Sequence, residues 1–322
     1  MPDILWPIKW LIELILSAFH AVFTATFQFL VPGVKDQSSW GLTWVLSIVC
    51  LVLVVRTALI PIFVRQIKSQ RNMMLVQPEL AKLQKKYKGK TDRESREKFA
   101  QEQMALYKRT GSNPLSSCLP MLVQMPIFFS LFSVLKTASG TPPKAGVAFM
   151  DINLAQSFHD SVFLGAPLKE SLSTANGNIA VFVLGITMIV AMTASQFITQ
   201  KQIMAKNQNA ATQTSQYMQT QKIMLYAFPL IFMVSGIAFP LGLMFYWLTS
   251  NFWTMGQQYF VIRRMPTPGS KAFEERQTRL AKKGKVAEVI EELESEAETV
   301  DIVRENSQRA QPVSKKRTKK RK

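Results

Sequence analysis

The sequence predicts an all-α polytopic membrane protein: a core of five transmembrane helices, an N-terminal interfacial helix and a cytoplasmic helical hairpin. Three observations carry this. Of the 322 residues 48% are hydrophobic, and the apolar ones gather into runs near the length that crosses roughly 30 Å of hydrocarbon. Charge collects between the runs, leaving a net +18 and an isoelectric point of about 10.0 at a mean hydropathy of only +0.07. Lysine and arginine are also unevenly shared, with thirteen in residues 65–113, three in 136–178 and seventeen in 263–322. The positive-inside rule therefore sets 65–113 and the tail in the cytoplasm and 136–178 outside. Five crossings agree with that, with the N-terminus outside and the C-terminus inside.

The first segment, residues 1–40, holds the run "IKWLIELILSAFHAVFTATFQFL" over 8–30. Its polar residues Lys9, Glu13, Ser17, His20, Thr24 and Gln28 recur at steps of three and four, which is one stripe of a helix. An early acid and the flanking Trp6 and Trp10 suit the membrane interface. Asp3 and Glu13 argue against a secretory signal, so the expectation is an uncleaved interfacial helix rather than a signal or an extra span.

The core, 41–262, is expected to span at 42–64, 114–135, 179–199, 223–239 and 241–262. Pro240 breaks the last two apart, because proline cannot continue a helix without losing a backbone bond. Between the first two spans, 76–110 reads as two short helices around "KGKTD". Thr91 and Glu94 suggest a capping box, with Leu80, Leu83 and Tyr87 facing Phe99 and Leu106. The loop 136–178, with "GTPPKAG" and "TANGN", reads as turn-rich and irregular. In the tail, 263–322, a helical stretch around 271–305 precedes the basic block "KKRTKKRK", which alone cannot build a core.

Catalytic chemistry finds no residues to carry it. The chain has two histidines, His20 and His159, and no HExxH, GxSxG or P-loop lysine motif. No aspartate, glutamate or lysine falls inside the five spans. Cys50 and Cys118 lie in apolar runs and read as small buried residues. The expectation is a non-enzymatic protein with no metal and no cofactor.

What the spans do contain is one arginine among uncharged polar residues. Arg56, in "LVLVVRTALIPIF", sits roughly 12 Å from the inner end of its run at 1.5 Å per residue. A central arginine costs about 2.5–3.5 kcal/mol on insertion scales. It can snorkel to the surface, or it can occupy a hydrated cavity, with Pro61 loosening the helix nearby. Gln124 lies between Pro120 and Pro126, Gln196 near the inner end of the third span, and Tyr246, Trp247 and Asn251 in the fifth. Singly each reads as interhelical hydrogen bonding; together with Arg56 they suggest a shared wet cavity.

Three motifs then resemble one family. "GSNPLSSCLPMLVQMPIF" (111–128), "PLGLMFYWLTSN" (240–251) and "RTALIPIFVRQIKSQRNM" (56–73) are similar to the spans of the YidC membrane protein insertases, relatives of the mitochondrial Oxa and chloroplast Alb proteins. The likeness covers about 40–262 and is to the short Gram-positive type, with Ser117 where relatives often have glycine. It implies a bacterial plasma-membrane insertase and chaperone whose five helices enclose a hydrophilic groove open to cytoplasm and lipid. Short translocated tails of nascent membrane proteins would pass through it, alone or with the Sec translocon. By matched motif Arg56 is the groove charge and Gln124, Tyr246 and Trp247 line it; Gln196 and Asn251 are assigned to it by spacing. The basic residues Lys315, Lys316, Arg317, Lys319, Lys320, Arg321 and Lys322 would bind ribosomal RNA or anionic lipid. A polytopic channel or transporter, or a passive ribosome anchor, are the rival readings.

Overall fold

The computed structural model describes residues 4–30, 40–109, 119–206, 216–267 and 270–285, together with Ala287 and Ile290. Ten α-helices are found among them: α1 (Trp6–Leu30), α2 (Gly41–Ala58), α3 (Ile60–Tyr87), α4 (Arg93–Arg109), α5 (Leu119–Ala138), α6 (Ile152–His159), α7 (Ile179–Lys206), α8 (Gln216–Gly236), α9 (Leu241–Arg264) and α10 (Lys271–Lys282). The strands are β1 (Val162–Phe163) and β2 (Ala166–Pro167), one antiparallel pair. The chain is thus an all-α polytopic protein. It divides into two compact units, one from Met1–Gln66, Cys118–Ala205 and Gln219–Met265, the other from Ile67–Ser117, Lys206–Met218 and Pro266–Lys322.

In the first unit α2 lies between α1 and α9, and α1 also runs along α5. Ile12 and Leu16 of α1, Trp44, Ile48, Leu51 and Val52 of α2, Leu131 and Leu135 of α5, Met188 and Met192 of α7, and Leu241 and Met244 of α9 form one buried cluster. Their steps of three and four put them on one face of each helix. Facing away, Phe182, Val183, Ile186 and Val190 of α7 and Leu230, Ile231 and Val234 of α8 are exposed, an apolar surface far larger than water tolerates. Trp6–Leu30, Gly41–Ala58 and Ile179–Lys206 are long and apolar enough to cross a membrane, while α5 and α8 carry shorter apolar stretches. In α9, 24 residues long, Thr249, Ser250, Asn251, Gln257 and Gln258 dilute the apolar run.

Three expectations change. The segment 42–64 is not one helix: α2 ends at Ala58, Leu59 interrupts, and α3 continues unbroken to Tyr87. Pro61 is the second residue of α3, where a helix has unpaired N–H groups anyway, so it starts a helix instead of loosening one. Leu59 N–H bonds the Val55 carbonyl at 3.1 Å and Phe63 N–H the Leu59 carbonyl at 3.0 Å, so the interruption is a single residue. Next, the polar stripe of α1 is not left to a membrane interface along its whole length: Glu13 and His20 are buried against protein, while Gln28 is exposed. Cys50, finally, is half-buried rather than enclosed, and Cys118 lies outside the described residues.

The loop between α5 and α7 is more ordered than its turn-rich sequence suggests. Asp151 caps α6 by accepting the Leu154 N–H at 2.7 Å, and Phe158, Ala155, Ala166 and Leu168 are buried. Leu164 (φ 52°) and Gly165 (φ 80°) make the β1–β2 turn with two positive φ values, the type I′ pattern that fits strand twist. Trp44, fully buried, meets the Phe158 ring edge-on at 5.1 Å and donates to Ser157 Oγ at 3.2 Å. The loop also finishes α9. Pro240 caps that helix without a side-chain bond, and the carbonyls of Glu170 and Leu168 take up the N–H groups of Leu241 and Gly242 at 2.8 and 2.9 Å. Residues 237–240 separate α8 from α9, as Pro240 predicted.

In the second unit the later part of α3 pairs antiparallel with α4. Met73, Val76, Leu80, Leu106 and Tyr107 form a small core, and Tyr87 meets Phe99 edge-on at 5.7 Å. Lys86 and the Tyr87 hydroxyl both bond Glu102, at 2.7 and 2.9 Å. The hairpin is as expected, except that its first helix is the end of a long one. Its capping differs too: Asp92, not Thr91, accepts from Ser95 N–H at 2.8 Å, and Glu94 pairs with Lys98. In the tail, Ser270 caps α10 through the Phe273 N–H; the residues beyond 290 lie outside the described set.

Candidate functional site

The last turn of α2 carries Arg56 towards α9. Tyr246 and Ser250, four apart, share one face of α9, and Gln124 reaches the same point from α5. Arg56 Nη2 donates to Ser250 Oγ, and Gln124 Nε2 donates to the Tyr246 hydroxyl. The guanidinium carbon lies 5.5 Å from the centroid of the Phe63 ring, within range of a cation–π contact. Tyr246 is 4% exposed and Ser250 likewise 4%. Among the described residues no carboxylate forms an ion pair with Arg56.

These groups border a chamber of about 10 Å³, lined by Arg56, Gln124 and Tyr246 and by the apolar Ile12, Leu51, Val52 and Leu131. That is room for about one water. The broad wet cavity expected from the sequence is therefore not standing open; the neighbouring aliphatic side chains fill it. The chemistry is that of a weakly neutralised cation. A hydroxyl and an aromatic face stabilise a guanidinium without cancelling its charge, so an incoming anion still gains from meeting it.

Of the expected groove residues, Arg56, Gln124 and Tyr246 come together here. Trp247 does not join them: its ring stacks on Phe128 at 5.0 Å and meets Phe239 edge-on at 5.0 Å, within the apolar cluster. One position along a helix turns a side chain about a hundred degrees, which takes Trp247 off the Tyr246 face. Gln196 and Asn251 are half-buried on α7 and α9 and do not line the chamber. The seven basic tail residues from Lys315 to Lys322 lie outside the described residues. Ser250, beside the polar face of the fifth span in the sequence but not assigned to the groove, is a participant; Ile12, which lines the chamber from α1, was missed and carries no such signal.

The sequence model of the 60Kd inner membrane protein family matches residues 36–268. The chain belongs to this family. The protein called membrane protein insertase YidC in Tropheryma whipplei (strain Twist) is 40% identical over 331 residues, covering 100% of this chain and 97% of that one. Its namesake in Streptomyces avermitilis is 43% identical over 274 residues, 83% of this chain but 59% of the Streptomyces protein. In Bifidobacterium longum the figures are 34% over 283 residues, 86% and 80%. The stretch matching the 60Kd inner membrane protein family runs from before α2 to just past α9. It contains Arg56, Gln124, Tyr246 and Ser250 and leaves α1, with Ile12 and Glu13, outside.

Proposed function

We propose that the chain is a membrane protein insertase of a bacterial membrane, a non-enzymatic activity, working through the Arg56 chamber. The observation that carries the mechanism is a half-buried cation whose described partners, Ser250 and Phe63, are uncharged. A short client tail bearing an acid would be drawn to Arg56 from the cytoplasmic side. Its polar groups would find Gln124, Tyr246 and Ser250 instead of hydrocarbon, which lowers the barrier that an unsatisfied polar group meets in lipid. The client's apolar segment then partitions into the bilayer along the exposed faces of α7 and α8, and that burial supplies the driving force. No nucleotide is needed.

For this to work the chamber must widen, since about 10 Å³ admits no peptide. The one-residue interruption at Leu59, beside Arg56, is a natural place for α2 and α3 to move apart. Further proposals complete the layout: residues 41–262 as the working core, the α3–α4 hairpin and tail in the cytoplasm, and the α5–α7 loop outside. Nascent membrane proteins are the clients. The basic C-terminus is assigned to the ribosome or anionic lipid, and insertion proceeds alone or with the Sec translocon. Purified protein in liposomes, given one small client and no other factor, should insert it. Solute leakage without insertion would instead mark a channel, and ribosome binding without insertion a passive anchor.

A further inference from the structure

We infer that the polar face of α1 and the α5–α7 loop are the two walls of a second, open substrate site, which receives the hydrophilic client segment once it has passed Arg56. The inference rests on the insertase reading and names where the translocated tail goes next. Helix α1 is two-sided. Leu11, Val22, Phe29 and Leu30 are exposed, whereas Ser17, His20, Thr24 and Gln28 form one wall of an open cleft of about 560 Å³ whose other wall is built from residues 149–157. That volume lies within the roughly 300–1,000 Å³ of ligand sites and exceeds the Arg56 chamber many times over.

Its chemistry suits a peptide of unspecified sequence. Hydroxyls, a carboxamide and an imidazole from α1 face Asn153 and Ser157, supplying both donors and acceptors. The one carboxylate in the wall, Asp151, already accepts the Leu154 N–H as a helix cap. Arg56 selects for an anion; this lining hydrogen-bonds peptide groups and small polar side chains of any kind. The Thr24 hydroxyl is buried without a partner, an acceptor and donor still to be satisfied.

A single helix links the two sites. Ile12 closes the Arg56 chamber and Ser17 opens the larger cavity, roughly 7.5 Å further along α1 at 1.5 Å per residue. Between them stands Glu13, whose carboxylate accepts the backbone N–H groups of Val147, Ala148, Phe149 and Met150. Phe149 also walls the larger cavity. The Glu13 contact thus anchors the loop wall of the larger cavity to α1, one residue from the chamber's Ile12.

The test is photocrosslinking from the full-length protein in membranes to ribosome-bound clients of stepped length. The probe is placed at Val55 in the chamber, at Gln28 or Asn153 in the cavity, and at exposed Val22 as control. The expected result is client crosslinks at Val55 for short chains, then at Gln28 and Asn153 for longer ones, with Val22 giving no crosslink to the polar tail. Crosslinks at Val55 with none at Gln28 or Asn153 at any length, or crosslinks there to phospholipid alone, would overturn the second site and leave the insertase reading standing. Silence at all positions would overturn both. As a second arm, Ala21→Trp fills the cavity from its wall. At equal protein abundance it should slow a client with a polar translocated tail several-fold and spare a client with none; equal rates for both would also overturn the assignment.

Discussion

Replacing Glu13 by glutamine should loosen the segment 147–150 without unfolding the helices around it. The carboxylate oxygen Oε1 accepts from Val147 N–H at 2.8 Å, and Oε2 from Ala148, Phe149 and Met150 at 2.8, 3.0 and 3.3 Å. Glu13 is 1% exposed, so water does not replace what is lost. Glutamine keeps one carbonyl oxygen and turns the other into a donor, which cannot serve an N–H group. The cheapest arrangement aims the oxygen at the three amides of Ala148, Phe149 and Met150 and abandons Val147. Losing one hydrogen bond to a charged acceptor costs about 1.5–3 kcal/mol, which is about 10- to 150-fold in a local opening equilibrium. Hydrogen exchange at fixed pH is the assay. Amides 147–150 of Glu13→Gln should exchange faster by about that factor, while those in the middle of α7 stay unchanged. Identical exchange at 147–150 would show that the carboxylate does not hold the loop wall to α1.

Two glycines make a paired prediction. A Cβ on Gly41 would come within 2.5 Å of the Val162 and Phe163 backbone, so Gly41→Ala should lower thermal stability by about 1–3 kcal/mol. Gly256, inside α9 with nothing within 4 Å of such an atom, should gain about 0.5–1 kcal/mol as alanine; a reversed order of unfolding midpoints would refute the packing described. In the hairpin, the Lys86 hydrogen bond, aided by the Tyr87 hydroxyl and opposed by desolvation, holds the Glu102 carboxyl below its ordinary 4.5. A depressed folded-state pKa means that this stabilisation is complete above the ordinary value and is lost as pH falls through the folded one. Exchange in the hairpin should therefore differ between wild type and Glu102→Gln at neutral pH, modestly because the pair is solvent-exposed, and converge well below pH 4.5; a constant difference across that range would contradict it. Removing residues 310–322 should weaken ribosome co-sedimentation, and the difference should shrink steeply with added salt as phosphate counterions compete; unchanged co-sedimentation at low salt would sink the ribosome assignment.

Much of the helical layout was legible because helix spacing and breakers are local. Pro240 ended α8 before α9, and Leu80 and Leu106 found each other across the hairpin, since each signal lies in a few adjacent residues. The polar stripe of α1 was visible too, but not what it faces. Glu13 of that stripe meets a set of backbone N–H groups at 147–150, and backbone donors leave no mark on the amino-acid sequence. Pro61 misled for a related reason. Proline disrupts a helix interior and fits a helix start equally well, and only the break at Leu59 decides which applies. At the site, Arg56, Gln124 and Tyr246, grouped by motif, border one chamber, while Trp247 lies in the aromatic cluster because Phe128 and Phe239 arrive from other elements. The chamber's small volume was not legible at all: it depends on how Ile12, from a distant helix, fills the space beside Leu51 and Leu131.

The most direct measurement compares Arg56→Ala, Arg56→Lys and wild type in liposomes at matched protein levels, using two clients that differ only by an acid in the translocated tail. A guanidinium–carboxylate attraction of only about 1.4 kcal/mol at the rate-limiting step is tenfold in rate. Arg56→Ala should therefore insert the acidic-tailed client about tenfold more slowly than wild type and the neutral-tailed client nearly normally. Arg56→Lys, still cationic though without the planar fork, should keep most of the activity. Both clients inserted by Arg56→Ala at the wild-type rate would contradict the account, leaving Arg56 as a packed side chain and not the charge that draws substrate in.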